Sequence, residues 1–131
     1  MAKSYKLSRR SNSRLNTVHP NLRRVIRRAI EITKIDFGIP PDGGLRTADR
    51  QHELFLKKVS KCDGFHKKSY HQSGNAVDVY AYVDGKASWD EEHLAMVAAA
   101  VLQAASELQI SIEWGGLWDY TDMPHFQLSK S

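Results

Sequence analysis

The chain has 131 residues, 41% of them hydrophobic and 26% charged, which suits one compact core and leaves no room for a second folded module. Its single cysteine, Cys62, excludes an intrachain disulfide and a cysteine-based zinc cluster and suits a reducing cytoplasm; no segment reads as a secretory signal or a membrane span. The net charge of +4 is uneven: residues 1–30 hold nine Lys or Arg and no acid, and the remaining 101 hold ten basic and fifteen acidic side chains. Such asymmetry points either to an anionic partner for the N-terminal end or to a solvated tail and helix face.

Residues 1–16 are polar, rich in Ser, Arg and Asn, and aperiodic, so a loosely ordered basic arm is expected, followed by one domain over 17–131. A helix is expected from Pro20, a favoured first-turn residue, to about Lys34. Leu22, Val25, Ile26, Ala29 and Ile30 take the spacing of one buried face, with Arg23, Arg24, Arg27 and Arg28 opposite. Asp36–Ile39 reads as a short strand, Pro40-Pro41-Asp42-Gly43-Gly44 as a turn and Leu45-Arg46 as a returning strand. Thr47 suits the cap of a helix of about eleven residues, with Asp49 near its positive end. A lysine-rich loop then runs from Lys57 to Ser69.

Ala76–Val83 alternates as a strand, with Val77, Val79, Ala81 and Val83 toward a core and Ala76, Asp78, Tyr80 and Tyr82 on the other side. Asp84-Gly85 makes a turn. Ser88 and Glu91 form a capping box for a helix to about Gln109, with the inner stripe Leu94, Val97, Ala98, Val101, Leu102, Ala105 and Leu108. Ile110–Trp114 and His125–Leu128 read as the last strands, with a bend at Gly115-Gly116. Helices and antiparallel strands mix without a βαβ rhythm. The expected class is therefore α+β, a small antiparallel sheet flanked by about three helices.

Four side chains carry the most chemistry: His71 and Asp78 in Ser69–Asp78, and Asp122 and His125 in Asp122-Met123-Pro124-His125. Two imidazoles and one carboxylate are donors that zinc accepts in sites that keep a fourth position open for water. A carboxylate outside the ligand set can take the proton of that water. Gly74 permits the sharp turn that a loop ligand needs to meet a strand ligand. The spacing alone is only moderately specific, because a strand aspartate and scattered histidines occur in many domains. His66 lies in the lysine-rich loop, and His19, His52 and His93 fall at helix starts or on helix surfaces, where ordinary polar roles suffice. Asp119 rivals Asp122 as the base, at six rather than three residues from His125.

Ser-x-His-x-x-Gly-x-Ala-x-Asp over 69–78, Trp-Gly-Gly-x-Trp over 114–118 and Asp-x-Pro-His-Phe over 122–126 together resemble the LAS zinc peptidases. That family includes D-alanyl-D-alanine carboxypeptidases, D-Ala-D-Ala dipeptidases and the L-alanyl-D-glutamate endopeptidases that bacteriophages use as endolysins. Leu45-Arg46-Thr47, with Gln51 beyond it, is similar to a further family element, and the likeness spans roughly residues 18–128. The resemblance implies one zinc ion on His71, Asp78 and His125, with Asp122 as general base. It also implies Arg46, Gln51 and Ser69 as substrate-binding residues; a guanidinium such as that of Arg46 can donate two hydrogen bonds to a carboxylate or a developing oxyanion. Many relatives carry glutamate at the base position, and phage members resemble this chain in using aspartate. Trp114 and Trp118 are assigned no role, since tryptophans more often anchor cores.

What the resemblance implies is a zinc-dependent endolysin that hydrolyses the L-Ala–D-Glu bond of peptidoglycan; a monomer is expected. A D-alanyl-D-alanine carboxypeptidase is the alternative, because pocket shape rather than these motifs separates the two; a non-catalytic wall-binding zinc domain is the more distant one. Only three residues follow Leu128, so no wall-binding module is expected there. The lack of an apolar leader suits synthesis in the host cytoplasm, and the resemblance implies action on the periplasmic wall after a separate protein has opened the membrane. The basic arm and first helix suit contact with anionic envelope polymers, weakened by salt. Nucleic acid is not expected, since aromatic residues are not interleaved with the arginines as a stacking platform requires.

Overall fold

The computed structural model describes residues 4–130. Its core begins with a pair of packed helices. Helix α1 covers Arg9–Leu15, α2 covers Pro20–Ile32, α3 covers Ala48–Leu56 and α4 covers Glu91–Leu108. Pro20 opens α2, where its missing N–H costs nothing, and the His19 ring accepts from Asn21 N at 3.0 Å. Leu22, Val25, Ile26, Ala29 and Ile30 are buried, as the periodicity requires, against Val97, Ala98, Val101, Ala104 and Ala105 of α4. The alanines let the two helices approach closely and leave few gaps.

The strands form two three-stranded antiparallel sheets rather than one. Strand β1 (Asp36–Gly38) pairs with β3 (Tyr80–Val83), which pairs with β4 (Lys86–Ser88). In the other sheet β2 (Ala76–Asp78) pairs with β6 (His125–Leu128), which pairs with β5 (Ile112–Trp114). The α+β class holds, with four helices in place of about three. The single strand expected over 76–83 breaks at Val79. There the backbone leaves one ladder for the other: Asp78 N donates to Gly43 O at 2.8 Å and Val79 N to Pro124 O at 3.0 Å. Side-chain alternation survives the break, and Val77, Val79 and Ala81 are all fully buried.

Three local expectations are corrected. Leu45-Arg46 is not a strand; Leu45 N is held by Thr17 Oγ1 at 2.9 Å and Arg46 N by His71 O at 3.0 Å, so the segment is tied to loops. Ser88 does not cap α4. Its hydroxyl meets His93 Nδ1 at 2.6 Å, and Asp90 takes the cap position. The loosely ordered arm over 1–16 gives way to α1 over residues 9–15, while Lys3 and its neighbours at 1–3 lie outside the described residues.

Helix α1 is held by contacts that periodicity does not reveal. Ser8 caps it by accepting from Ser11 N at 3.1 Å, Ser11 Oγ accepts from Ile39 N at 2.9 Å, and Arg14 donates to Ile39 O at 2.9 Å. Leu15 is the one apolar anchor, 0% exposed. None of the described helices is long and apolar enough to cross a membrane. Truncating Leu15→Ala tests whether α1 belongs to the core. Urea unfolding is expected to show a loss of about 2–5 kcal/mol; a loss below about 0.5 kcal/mol, the surface norm, would make α1 an appendage.

Candidate metal centre and cleft

The site is assembled from three separate segments. His71 sits in a single 3-10 turn, Tyr70–Ser73, which Ser69 caps: its hydroxyl accepts from His71 N at 3.1 Å and its own N–H donates to Gln72 Oε1 at 2.9 Å. The turn ends at Gly74 with φ of 75°, a left-handed conformation that a side chain would strain. From there the chain enters β2, whose last residue is Asp78. In the β2–β6 ladder Asp78 lies directly opposite His125, so their side chains share one face.

One carboxylate oxygen, Asp78 Oδ1, is the meeting point. His71 Nε2 lies 3.2 Å from it and His125 Nδ1 3.1 Å. One donor atom from each residue falls within 4.8 Å of the others. The far sides of both rings fix which nitrogen is free. His71 Nδ1 is 3.0 Å from the Gly44 carbonyl, which can only accept, so the proton sits there and Nε2 carries the lone pair. His125 Nε2 is 2.8 Å from Gln127 Oε1, which leaves Nδ1 for the centre.

These donors fit a divalent cation. His71 Nε2 is buried and has no hydrogen-bond partner; the Asp78 oxygen at 3.2 Å lies out of line for one. The His71 lone pair and the nearby Asp78 carboxylate are both electron-rich and repel unless a positive charge lies between them. Tetrahedral ligands at 2.0–2.1 Å from zinc stand roughly 3.3 Å apart, and the observed 3.1 and 3.2 Å match that spacing.

Charge balance within the cluster sets the direction in which each group shifts. Burial pushes the Asp78 carboxyl up, but the hydrogen bond with His125 and the closeness of the His71 ring outweigh it and hold it well below the usual range. Burial likewise pushes His125 down, and the Asp78 carboxylate reverses this, so the imidazole ends above its ordinary value. Asp122 behaves differently. Burial and then the negative charge of Asp78 raise its carboxyl, only partly offset by His125, His71 and Arg46.

Asp122 lines the same cleft as the three donors, a space of about 510 Å³, whereas its rival Asp119 is exposed and not on that lining. A tight turn fixes it beside the centre, with His125 N donating to Asp122 O at 3.2 Å and Asp122 N to Gly115 O at 2.9 Å. Gly115 packs so closely on Asp122 that any side chain there would collide with it. Trp114 is a structural anchor, stacking on Phe126 and donating to Met123 O at 2.7 Å. Trp118 lines the cleft, 5.3 Å from the His125 ring.

The remaining expected site residues divide. Arg46 lines the cleft, but its guanidinium is engaged: Nη2 donates to Asp78 Oδ2 at 3.2 Å, Nη1 to Gln51 Oε1 at 3.1 Å and Nε to Asp42 O at 2.8 Å. It thereby holds one Asp78 oxygen and leaves the other to the imidazoles. Gln51 does not reach the cleft surface. It is 0% exposed, and its amide nitrogen donates to Ser60 Oγ at 2.7 Å and Cys62 O at 2.9 Å. Its polarity serves the protein interior, where an unpartnered amide would be costly. Ser69 lines the cleft and caps the His71 turn at once.

The other histidines stay apart from the centre. The His66 side chain is 96% exposed beside Asp63, His52 stacks with Phe55 and Phe65, His19 caps α2 and His93 meets Ser88. Gln127 and the Gly44 carbonyl are functional partners that motif reading missed. Gln127 had a signal, since it follows His125 by two on one strand and so shares its face. Gly44 had none, because a carbonyl is the same in every residue.

A sequence model described as Phage L-alanyl-D-glutamate peptidase matches residues 3–128. The chain is 33% identical over 134 residues to the L-alanyl-D-glutamate peptidase of Escherichia phage T5, covering 97% of this chain and 91% of that one. It is also similar to the crystal structure of the L-Ala D-Glu endopeptidase ChiX of Serratia marcescens, with a TM-score of 0.83 and 40% identity, covering 95% of this chain and 90% of the other.

Replacing Gln127→Leu removes the acceptor that orients His125. Divalent-metal affinity, read by competition with a chelator, is expected to fall about 10–100-fold; an unchanged affinity would show that the amide does not hold the ring.

Proposed function

The chain belongs to the phage L-alanyl-D-glutamate peptidase family, and on that premise we propose that it is a zinc-dependent endopeptidase that cleaves the L-Ala–D-Glu bond of peptidoglycan stem peptides. The observation that carries this is the convergence of His71 Nε2, His125 Nδ1 and Asp78 Oδ1 in a cleft that also contains Asp122. His71, Asp78 and His125 would hold one zinc ion, which when bound supplies a Lewis acid and lowers the pKa of a water to about 7.

The other parts of the reaction fall to the chain's own groups. Asp122 takes the proton of the attacking water as the new carbon–oxygen bond forms, then gives it to the leaving nitrogen as the amide bond breaks. The products are a carboxylate and a free amine, with no other reactant consumed. Arg46 keeps Asp78 oriented, and its place on the cleft lining supports a second role toward a carboxylate or developing oxyanion of the substrate. Gln51 acts behind it by bracing the guanidinium, and Ser69 contributes both the cap of the His71 turn and a polar point of contact for the peptide.

The enzyme works on the wall once the host membrane has been opened, and does so as a monomer. Exposed Arg24 and Arg27 of α2 suit attraction to anionic envelope polymers; Arg28 is already paired with Glu107 at 2.7 Å.

Mass spectrometry of digested muropeptides tests the bond assigned. New N-terminal glutamate is expected, and release of free D-alanine would instead mark a carboxypeptidase. An Asp122→Asn variant is expected to keep full zinc content while wall hydrolysis drops about a hundred- to ten-thousand-fold. Retained hydrolysis in that variant would move the base elsewhere.

A further inference from the structure

The loop at residues 57–69 takes no direct part in the hydrolytic chemistry, yet it forms one wall of the cleft. Lys61, Lys67 and Lys68 line that wall, and the only acids on the whole lining are Asp78 and Asp122. Asp78 is already matched by Arg46 and the two imidazoles. Among the described residues, none of the three lysines lies within ion-pair distance of an acid.

The wall is pinned in place. Asp63, the one acid in the loop, accepts from the backbone N–H of Lys67, Phe65 and His66 at 2.8, 3.0 and 2.9 Å, which holds its carboxyl well below the usual range. Its negative charge is therefore consumed by the loop's own amides. Gly64, at φ of 91°, lies so close to α3 that a Cβ would sit 2.7 Å from Ala48 O. Gln72 donates to Gly64 O at 2.8 Å, and Gln51 holds Ser60 and Cys62. Lys61 Nζ stands 3.8 Å from the centre of the Tyr120 ring, a cation–π contact that ties the loop to the segment carrying Asp122. Lys68 also borders a neighbouring groove of about 710 Å³ that shares Arg46, Ser69 and Tyr70 with the cleft, so a peptide has a continuous path past it.

A wall whose backbone is fixed and whose Lys67 and Lys68 have no ion-pair partner among the described residues calls for an anion in the substrate. A glutamate that is acylated on nitrogen and extended through one carboxyl keeps the other as a free carboxylate, on the same residue as the nitrogen that leaves. Resting on the endopeptidase assignment, we propose that Lys67 and Lys68 bind this carboxylate and make the enzyme selective for stem peptides whose glutamate is not amidated. Lys61, held over Tyr120, adds positive potential without taking the direct contact. The lysines are substrate-reading residues and leave the water and the leaving group to the centre.

Two soluble peptides that differ only in this group, carboxylate against carboxamide, provide the test with zinc-loaded protein. For the native protein kcat/KM is expected to favour the carboxylate peptide about tenfold, the scale of one charge-assisted hydrogen bond. In Lys67→Met/Lys68→Met the ratio is expected to fall toward one, with zinc content and thermal unfolding measured alongside. In Lys34→Met/Lys86→Met, which removes the same charge from exposed positions off the cleft lining, the ratio is expected to persist. Equal rates of the native protein on the two peptides overturn the proposal whatever the variants do. So does a ratio that survives in the cleft variant, or one that collapses equally in the control, since that would be long-range attraction. Cleavage of neither peptide defeats the endopeptidase assignment itself, a result distinct from loss of selectivity.

Discussion

The structure turns on the Asp78 carboxylate. One of its oxygens faces a ring nitrogen of His71 and one of His125, and the other is gripped by Arg46. Three like-disposed donors at such distances oppose one another, and the fold must hold them there by other means. It does so through the β2–β6 ladder, in which Asp78 and His125 are register partners, and through the 3-10 turn that returns His71 against β2. A slip of one residue in that ladder would turn His125 to the opposite face and dissolve the centre. Sheet register and metal chemistry are thus one constraint.

Around this point the polar groups are nearly all satisfied, and the exception is informative. Gly44 O fixes the tautomer of His71, Gln127 fixes His125, and a chain from Ser60 through Gln51 to Arg46 fixes Asp78. Buried polar atoms are ordinarily paired because leaving one bare costs about 1–3 kcal/mol. Among the described residues, His71 Nε2 is the single buried side-chain polar atom without a hydrogen bond, and it points at the centre. The apolar core of α2 and α4 supplies the rigidity that lets this cost be sustained away from the helices.

Much of this was legible in the sequence, for reasons that can be named. The buried stripe of α2 and most of that of α4 followed from 3.6-residue periodicity, because those helices each bury one face in one core. The cluster of His71, Asp78 and His125 was legible because these residues stand in motifs that resemble a known family, whereas their spacing alone is only moderately specific. Helix α1 was not, since a backbone contact from Ser11 and Arg14 to residue 39 leaves no period in the sequence. The break at Val79 was hidden too: alternation continues unbroken while the hydrogen-bond partners change from one sheet to the other. Gln51 looked like a cleft residue by its motif and is an interior brace by its burial, a difference that only coordinates reveal.

The site and its surroundings also divide the work by rigidity. His71, Asp78 and His125 sit on or beside strands, Asp122 sits in a short turn braced by Gly115, and the backbone of the lysine-bearing loop is tethered by its own aspartate. Backbone contacts set the place of each of these segments. The most direct check of the central claim is X-ray absorption at the zinc edge on the loaded protein, compared with His71→Ala. One zinc per chain with two imidazole nitrogens and one carboxylate oxygen is expected, losing one imidazole in the variant. Failure of the native protein to retain zinc, or a spectrum unaffected by removal of His71, would contradict this.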